Sequence, residues 1–321
     1  MRRLAVSLGD PNGVGPEIVL KAWAACRYQT DWHITVFGPR RALELAAQSC
    51  GLNDVLDDLD WRSAGPIDDH HLRPGVINAA AGASAVASAT AALKACRAGE
   101  FSAVVAGPHH ETAIHQAGIS FSGYPSLVAR VCGLEEHSVF MMLVGGGLRI
   151  VHATLHESVA TALTRLTIDH IVNASLAGVR ACQSMGIERP RFALFGINPH
   201  ASEGVLFGLE DSLMTAPAAR ALREMGWPVP DPQGADVLLA DHHVKPYDLY
   251  VAMLHDQGHI PIKLLAPQGA SAISIGPDVL LASTGHGSAM DIAGSGKARA
   301  DALIRSLKLM AGVESSGVQS G

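Results

Sequence analysis

Aromatic residues make up only 5% of the 321-residue chain and charged ones 17%, and neither sign of charge forms a block. With 24 Lys and Arg against 30 Asp and Glu, and a formal net charge of −6, there is no basic stripe of the kind that binds nucleic acid or an anionic membrane. The implied partner is a small molecule. No apolar run approaches the roughly 18 residues a membrane span needs, because the Ala-rich stretch 79–95 is cut by Gly82, Ser84, Ser88, Thr90 and Lys94. The run after Met1-Arg2-Arg3 stops at Leu8, too short for the apolar part of a signal peptide. Five cysteines (Cys26, Cys50, Cys96, Cys132, Cys182) are odd in number and form no Cys-x-x-Cys pair, so a reduced, cytoplasmic setting is expected.

Histidine, by contrast, is plentiful: sixteen residues, which in a chain of low charge points to metal or proton chemistry. The length exceeds the about 250–300 residues at which one core stops growing, which predicts two domains or one large α/β unit. Apolar, β-branched runs at 4–8, 33–37, 103–106, 139–144, 148–152, 192–197, 249–253 and 272–275 predict strands. Between them, 16–26, 40–50, 83–97, 126–131, 168–185, 216–225 and 300–311 read as helices. This alternation predicts an α/β fold with mostly buried strands. No linker divides the chain, so a second domain is expected as an insertion, and the Ser/Gly-rich tail 314–321 is expected to fray.

Five segments carry the chemistry. Gly9-Asp10-Pro11-Asn12-Gly13-Val14-Gly15-Pro16-Glu17 follows a strand and opens a helix, with Pro16 in its first turn and Glu17 complementing the dipole. It is not the Rossmann fingerprint, since Ile18 stands where a third glycine would. Asn198-Pro199-His200, Met253-Leu254-His255-Asp256 and Val151-His152-Ala153-Thr154-Leu155-His156-Glu157 each place an imidazole just past a strand. One such histidine would be read as a structural hydrogen-bonding residue, but three at strand ends beside carboxylates suit Zn, Co, Ni or Fe better than Mg. No His-Glu-x-x-His is present, which argues against a zinc protease. The Gly/Ser loop Gly285–Gly296 would let backbone N–H groups approach a phosphate or adenine closely.

Two of these loops, Gly9–Glu17 and His286-Gly287-Ser288-Ala289 with Asp291-Ile292-Ala293-Gly294, resemble the cofactor-side loops of the isocitrate/isopropylmalate dehydrogenase-like fold. Gly107-Pro108, Ala117-Gly118-Ile119, the run 198–204, Gly234-Ala235-Asp236 and His255-Asp256-Gln257-Gly258 are similar to the 4-hydroxythreonine-4-phosphate dehydrogenase family, a resemblance running from about residue 4 to 310. It implies two α/β/α domains, the second (121–265) inserted in the first (1–120 and 266–321), an active site in the cleft between them, and a homodimer with shared active sites. A divalent metal is implied on His156, His200 and His255, one of the three reaching its site across the dimer interface. Zinc comes first, with Fe, Co, Mn or Mg as alternatives. Asp236 and Asp256 match acidic positions beside the metal, and Lys263 matches a substrate-contacting lysine suited to general acid/base work. NAD is implied on Gly13, Gly15, His286, Gly287, Ser288, Ala289, Asp291 and Gly294. At Asp291 a carboxylate accepts from a free ribose 2′-hydroxyl and repels a 2′-phosphate, which favours NAD over NADP.

The departures concern the phosphate. Where the family carries His-Thr for the phosphorylated substrate, this chain has Tyr124-Pro125. An Asn in the late strand and an Arg in the turn after it become Ala272 and Leu281, and the lysine after Gly-Pro becomes Glu111. Each lost charge-assisted donor is worth about 1.5–3 kcal/mol, so a phosphate ester would bind poorly. The runs 108–115, 121–127, 207–212 and 259–267 are similar instead to the terephthalate cis-dihydrodiol dehydrogenase branch. That resemblance implies oxidation of an aromatic-derived dicarboxylate, 1,2-dihydroxycyclohexa-3,5-diene-1,4-dicarboxylate, by NAD with loss of its C1 carboxylate to give protocatechuate. Tyr124, Ser122, His110 and Lys263 are the expected substrate contacts, with His109 and Arg149 further candidates. The rivals are an NAD-dependent dehydrogenase of a phosphorylated hydroxy acid such as 4-hydroxythreonine 4-phosphate, and a metal-dependent hydrolase or non-redox binding protein.

Overall fold

The computed structural model describes residues 1–267, 270–276 and 279–313, so the tail expected to fray lies outside the described residues. In chain order the elements are β1 (Arg2–Ser7), α1 (Gly15–Cys26), β2 (Trp32–Gly38), α2 (Arg40–Cys50), β3 (Trp61–Ser63), α3 (Ala79–Arg97), β4 (Ala103–Ala106), α4 (Glu111–Gln116) and α5 (Tyr124–Cys132). Next come β5 (Phe140–Gly145), β6 (Leu148–His152), α6 (Val159–Arg165), α7 (Ile168–Ser184), β7 (Phe192–Leu194), α8 (Ala216–Glu224), α9 (Ala235–Ala240), β8 (Leu249–Ala252) and α10 (His255–Leu265). The last are β9 (Ser271–Ile275), β10 (Leu280–Thr284) and α11 (Asp301–Ala311).

Packing divides the chain into two units, one holding residues up to Val139 and again from 279 to 313, the other Phe140 to 276. Both divisions fall later than 120/121 and 265/266, for physical reasons. Helix α5 belongs to the first unit because Tyr124, Leu127, Val128 and Cys132 are buried in its core. Strand β9 belongs to the second because it pairs antiparallel with β5, Phe140 opposite Ile275.

The first unit is a parallel sheet in the order β3-β2-β1-β4-β10. Side chains alternate across a strand, so Ala5, Val104, Ala106 and Leu281 share the face covered by α3 and α5. Leu281 is therefore a fully buried residue of β10 rather than part of a turn beside an anion. Helix α3 is long and apolar enough by composition to cross a membrane, but Val86, Ala89, Ala92, Leu93 and Cys96 are buried in this same core. The second unit orders its strands β9-β5-β6-β8-β7, antiparallel across β9-β5-β6 and parallel across β6-β8-β7. Its core packs Ile150, Phe195, Tyr250 and Ile262.

Candidate active site

In the first unit the loops after β1 and β4 leave the sheet where the strand order reverses, β2 and β3 lying on one side of β1 and β4 and β10 on the other. Such a switch point at the carboxyl ends of parallel strands is where open α/β sheets hold ligands. The two loops touch backbone to backbone. Asp10 N–H donates to Pro108 O at 2.9 Å, and a Cβ at Gly9 (φ +72°) would lie 2.3 Å from that same oxygen. Asn12, fully buried, donates from Nδ2 to His71 O (3.0 Å) and Val76 O (2.9 Å) and accepts Arg73 N–H (2.8 Å), which draws the 71–76 segment against the loop. Burial pushes the Asp10 carboxyl up to about 6, against the opposing pull of the Asn12 N–H and of His110.

The two glycine loops meet although they come from opposite ends of the sequence. Val14 N–H donates to Ser288 O at 2.8 Å, and a Cβ on Gly13 would sit 2.8 Å from both Cβ and O of Ser288. Glu17 adds a staple: its Oε1 accepts Ala298 N–H at 2.7 Å and Lys21 Nζ at 2.8 Å, while the same ammonium donates to Gly296 O (2.9 Å) and Ala298 O (2.7 Å). Gly13, Pro16, Leu72, Pro74 and Gly294 line a crevice here. His286, Gly287, Asp291 and Gly294 are exposed, and Ala289 is left-handed at φ 41°. Of the expected substrate residues in this unit, Tyr124 is 6% exposed and its hydroxyl donates to Gly107 O at 2.6 Å. His109 packs edge-on against Phe121 and Tyr124, its burial lowering the imidazole pKa. His110 is half-buried and Ser122 exposed.

The second unit gathers imidazoles. The rings of His156 and His255 are 5.4 Å apart, His255 stacks on His259 at 3.7 Å and 12°, and His259 Nδ1 lies 3.1 Å from His152 Nε2. A carboxylate only accepts, so the 2.7 Å contact from His255 Nδ1 to Asp256 Oδ1 fixes the Nδ1–H tautomer and leaves Nε2 as the lone pair. That carboxylate–imidazole arrangement is the one that orients a metal-binding histidine. Burial holds His152 neutral, its pKa pushed down to about 3, and lowers His259 to about 4. The His152 ring is packed tightly, since a Cβ on Gly258 would fall 2.3 Å from its Nε2. His255, His259 and the exposed Lys263 recur every fourth residue along α10 and so share a stripe.

His200 stands apart from this group. It is exposed, its ring 6.1 Å from that of Phe207, and it opens a run of four left-handed residues, His200 to Glu203. Each non-glycine residue in that region costs about 1–2 kcal/mol. Among the described residues no three His, Cys, Asp or Glu side chains are placed to hold a metal ion. The structure thus brings His156 and His255 together and leaves His200 outside. Asp236 is exposed, and Gly234 lies between its Oδ1 and the His200 N–H, a Cβ there being 2.5 Å from the first and 3.7 Å from the nitrogen of the second. Arg149 is 4% exposed and donates to Asp248 O at 3.4 Å.

Residues 29–310 match the sequence profile of the pyridoxal phosphate biosynthetic protein PdxA. The chain belongs to the PdxA family. A Comamonas sp protein named 1,2-dihydroxy-3,5-cyclohexadiene-1,4-dicarboxylate dehydrogenase is 58% identical over 96% of this chain and 97% of its own. A PdxA-family 4-hydroxythreonine-4-phosphate dehydrogenase from Maricaulis maris (strain MCS10) is 34% identical, covering 95% of each chain. Among solved structures, a terephthalate 1,2-cis-dihydrodiol dehydrogenase from Burkholderia xenovorans LB400 superposes with TM-score 0.78 at 44% identity, covering 97% of this chain and 98% of that one. The 4-hydroxythreonine-4-phosphate dehydrogenase of Burkholderia phymatum gives TM-score 0.86 at 31% identity, with 98% of each covered. The fold is that of the PdxA-family dehydrogenases, and the chain is an enzyme of that oxidoreductase class.

Several residues that build the site went unread in the sequence. Gln257 accepts Met253 N–H and Leu254 N–H on Oε1, both at 3.0 Å, and donates from Nε2 to Gly196 O at 2.7 Å, tying the start of α10 to the end of β7. A Gln at the third helical position is a capping signal, and α10 forms where no helix is expected from the sequence, with Gly258 and Pro261 inside it. Asp211 has no such signal, because the groups it holds lie thirteen and fourteen residues before it at Asn198 and Ile197.

Proposed function

We propose that this chain oxidises 1,2-dihydroxycyclohexa-3,5-diene-1,4-dicarboxylate with NAD and releases the C1 carboxylate as carbon dioxide, forming protocatechuate. The observation that carries the reading is the 58% identity, over nearly the whole of both chains, to the dehydrogenase named for that substrate. Tyr124 supports it: where the phosphate-using relatives place a donor, this chain has a buried ring whose hydroxyl is already committed to Gly107 O.

His255 and His156 fit a divalent cation, zinc first, by donor chemistry: a free Nε2 on His255 beside a second imidazole 5.4 Å away. His200 is the third ligand, and one of the three imidazoles is contributed by the second subunit of a cytoplasmic homodimer. A metal held by these imidazoles would supply Lewis acidity toward the substrate alcohol, and NAD held by the glycine loops would supply the hydride acceptor. Asp256 holds the His255 tautomer, and Asp236 does similar work beside the His200 loop. Lys263 presents an ammonium on the same helical stripe as His255, where it pairs with a substrate carboxylate and exchanges a proton at Nζ. Oxidation leaves a carbonyl adjacent to the carbon bearing the C1 carboxylate, so that carboxylate departs with its bond electrons entering the ring, which becomes aromatic. Gly13, Gly15, His286, Gly287, Ser288, Ala289, Asp291 and Gly294 receive NAD. Ser122, His110 and Tyr124 border the substrate.

The test is NADH formation from the dihydrodiol and from 4-hydroxythreonine 4-phosphate, each with and without a chelator. Turnover of the dihydrodiol alone, lost on chelation and restored by metal, is expected. Turnover of the phosphoester alone would overturn the reading.

A further inference from the structure

We propose that Asp211 and Ser202 are positioning residues for His200, holding the strained loop that presents its imidazole to a divalent transition-metal ion; this rests on reading His200 as a ligand. Asp211 is 3% exposed, and its carboxylate accepts four hydrogen bonds. Oδ1 takes Ile197 N–H (2.7 Å) and Thr215 Oγ1 (2.7 Å), and Oδ2 takes Asn198 N–H (3.0 Å) and Ser202 Oγ (2.8 Å). Three of these donors flank His200 on both sides, so one carboxylate clamps the entry and the exit of its loop. Asn198 closes the clamp from outside, Nδ2 donating to Glu210 Oε2 at 2.7 Å and to Ser202 Oγ at 3.2 Å. Between the clamped points the backbone runs left-handed at φ 53°, 51°, 69° and 40° from His200 to Glu203. A non-glycine stretch of this kind persists only where its surroundings over-determine it. What the clamp delivers is an exposed imidazole on a backbone that cannot relax, which is how supporting hydrogen bonds raise metal affinity.

The experiment compares four variants of the full chain for Co(II) affinity by equilibrium dialysis, for the Co(II) absorption spectrum, and for urea unfolding. Ser202→Ala and Asp211→Asn are expected to weaken Co(II) by about tenfold or more and to alter its spectrum. Thr215→Val, which removes a donor to the same carboxylate from the side away from the loop, is expected to lower unfolding stability but leave Co(II) affinity and spectrum unchanged. His200→Ala reports on the underlying reading: if it binds Co(II) as the parent does, His200 is not a ligand and that reading fails. If His200→Ala loses Co(II) while Ser202→Ala keeps parental affinity and spectrum, the positioning inference is overturned. Should Asp211→Asn not fold, Ser202→Ala and Thr215→Val decide alone.

Discussion

Replacing Glu17 separates two accounts of one residue by magnitude. As a carboxylate complementing the first turn of α1, it would contribute about 0.3–1 kcal/mol, and Glu17→Ala would be a mild substitution. The structure gives it other work. The side chain is 2% exposed, and its Oε1 accepts Ala298 N–H at 2.7 Å and Lys21 Nζ at 2.8 Å. Glu17→Ala leaves the buried Ala298 N–H unpaired, which costs about 1–3 kcal/mol. Lys21 is 26% exposed and keeps Gly296 O and Ala298 O, so loss of its ion pair adds only about 1 kcal/mol. The expected total is about 2–4 kcal/mol. Glu17→Gln retains an acceptor for Ala298 and should lose about 1 kcal/mol. Urea unfolding of the three proteins without NAD measures this, and NAD titration by tryptophan fluorescence follows the loop: freeing Ala298 weakens NAD, whereas a role confined to the dipole leaves it unchanged. A Glu17→Ala protein within about 0.5 kcal/mol of the parent, with unaltered NAD binding, would refute the staple.

Two further outcomes are expected. Asp10 keeps its proton to about pH 6 when folded and releases it near 3.8 when unfolded, so the folded state is favoured less as pH rises through that window. Two units correspond to about 3 kcal/mol, by which Asp10→Asn should gain on the parent between about pH 3.5 and 7.5; a pH-independent difference in unfolding free energy would show that burial does not set this carboxyl. Asp291 is exposed in the glycine loop, and Asp291→Lys should shift the kcat/KM ratio from NAD toward NADP, an unchanged ratio removing it from the ribose site.

The alternation of β-branched runs with helical patterns was legible because parallel strands are buried on both faces, and it placed β1, β2, β4 and α1, α2, α7 within a few residues. Where it failed, a local signal contradicted the tertiary one. Gly258 and Pro261 interrupt α10, yet the helix forms because Gln257 caps it and because glycine alone fits 2.3 Å from His152 Nε2. The breaker is a packing requirement, and without its partner in β6 the sequence has no way to say so. Leu281, where the family resemblance implies an arginine in a turn, is likewise a core residue of β10. The candidate site divides along the same line. Glycines and histidines announce themselves, and the structure seats Gly13 against Ser288 and His156 near His255. Groups that fix them, such as Asn12, Glu17 and Asp211, act through backbone N–H and C=O groups distant in sequence, and such partners leave no spacing to read. That asymmetry explains why His200 looked equivalent to His156 and His255 on paper: all three follow strands, but only His200 depends on a carboxylate eleven residues on, and it alone stands apart from the other imidazoles. The proposed metal site would therefore be specified less by the count of its histidines than by the loop that Asp211 holds.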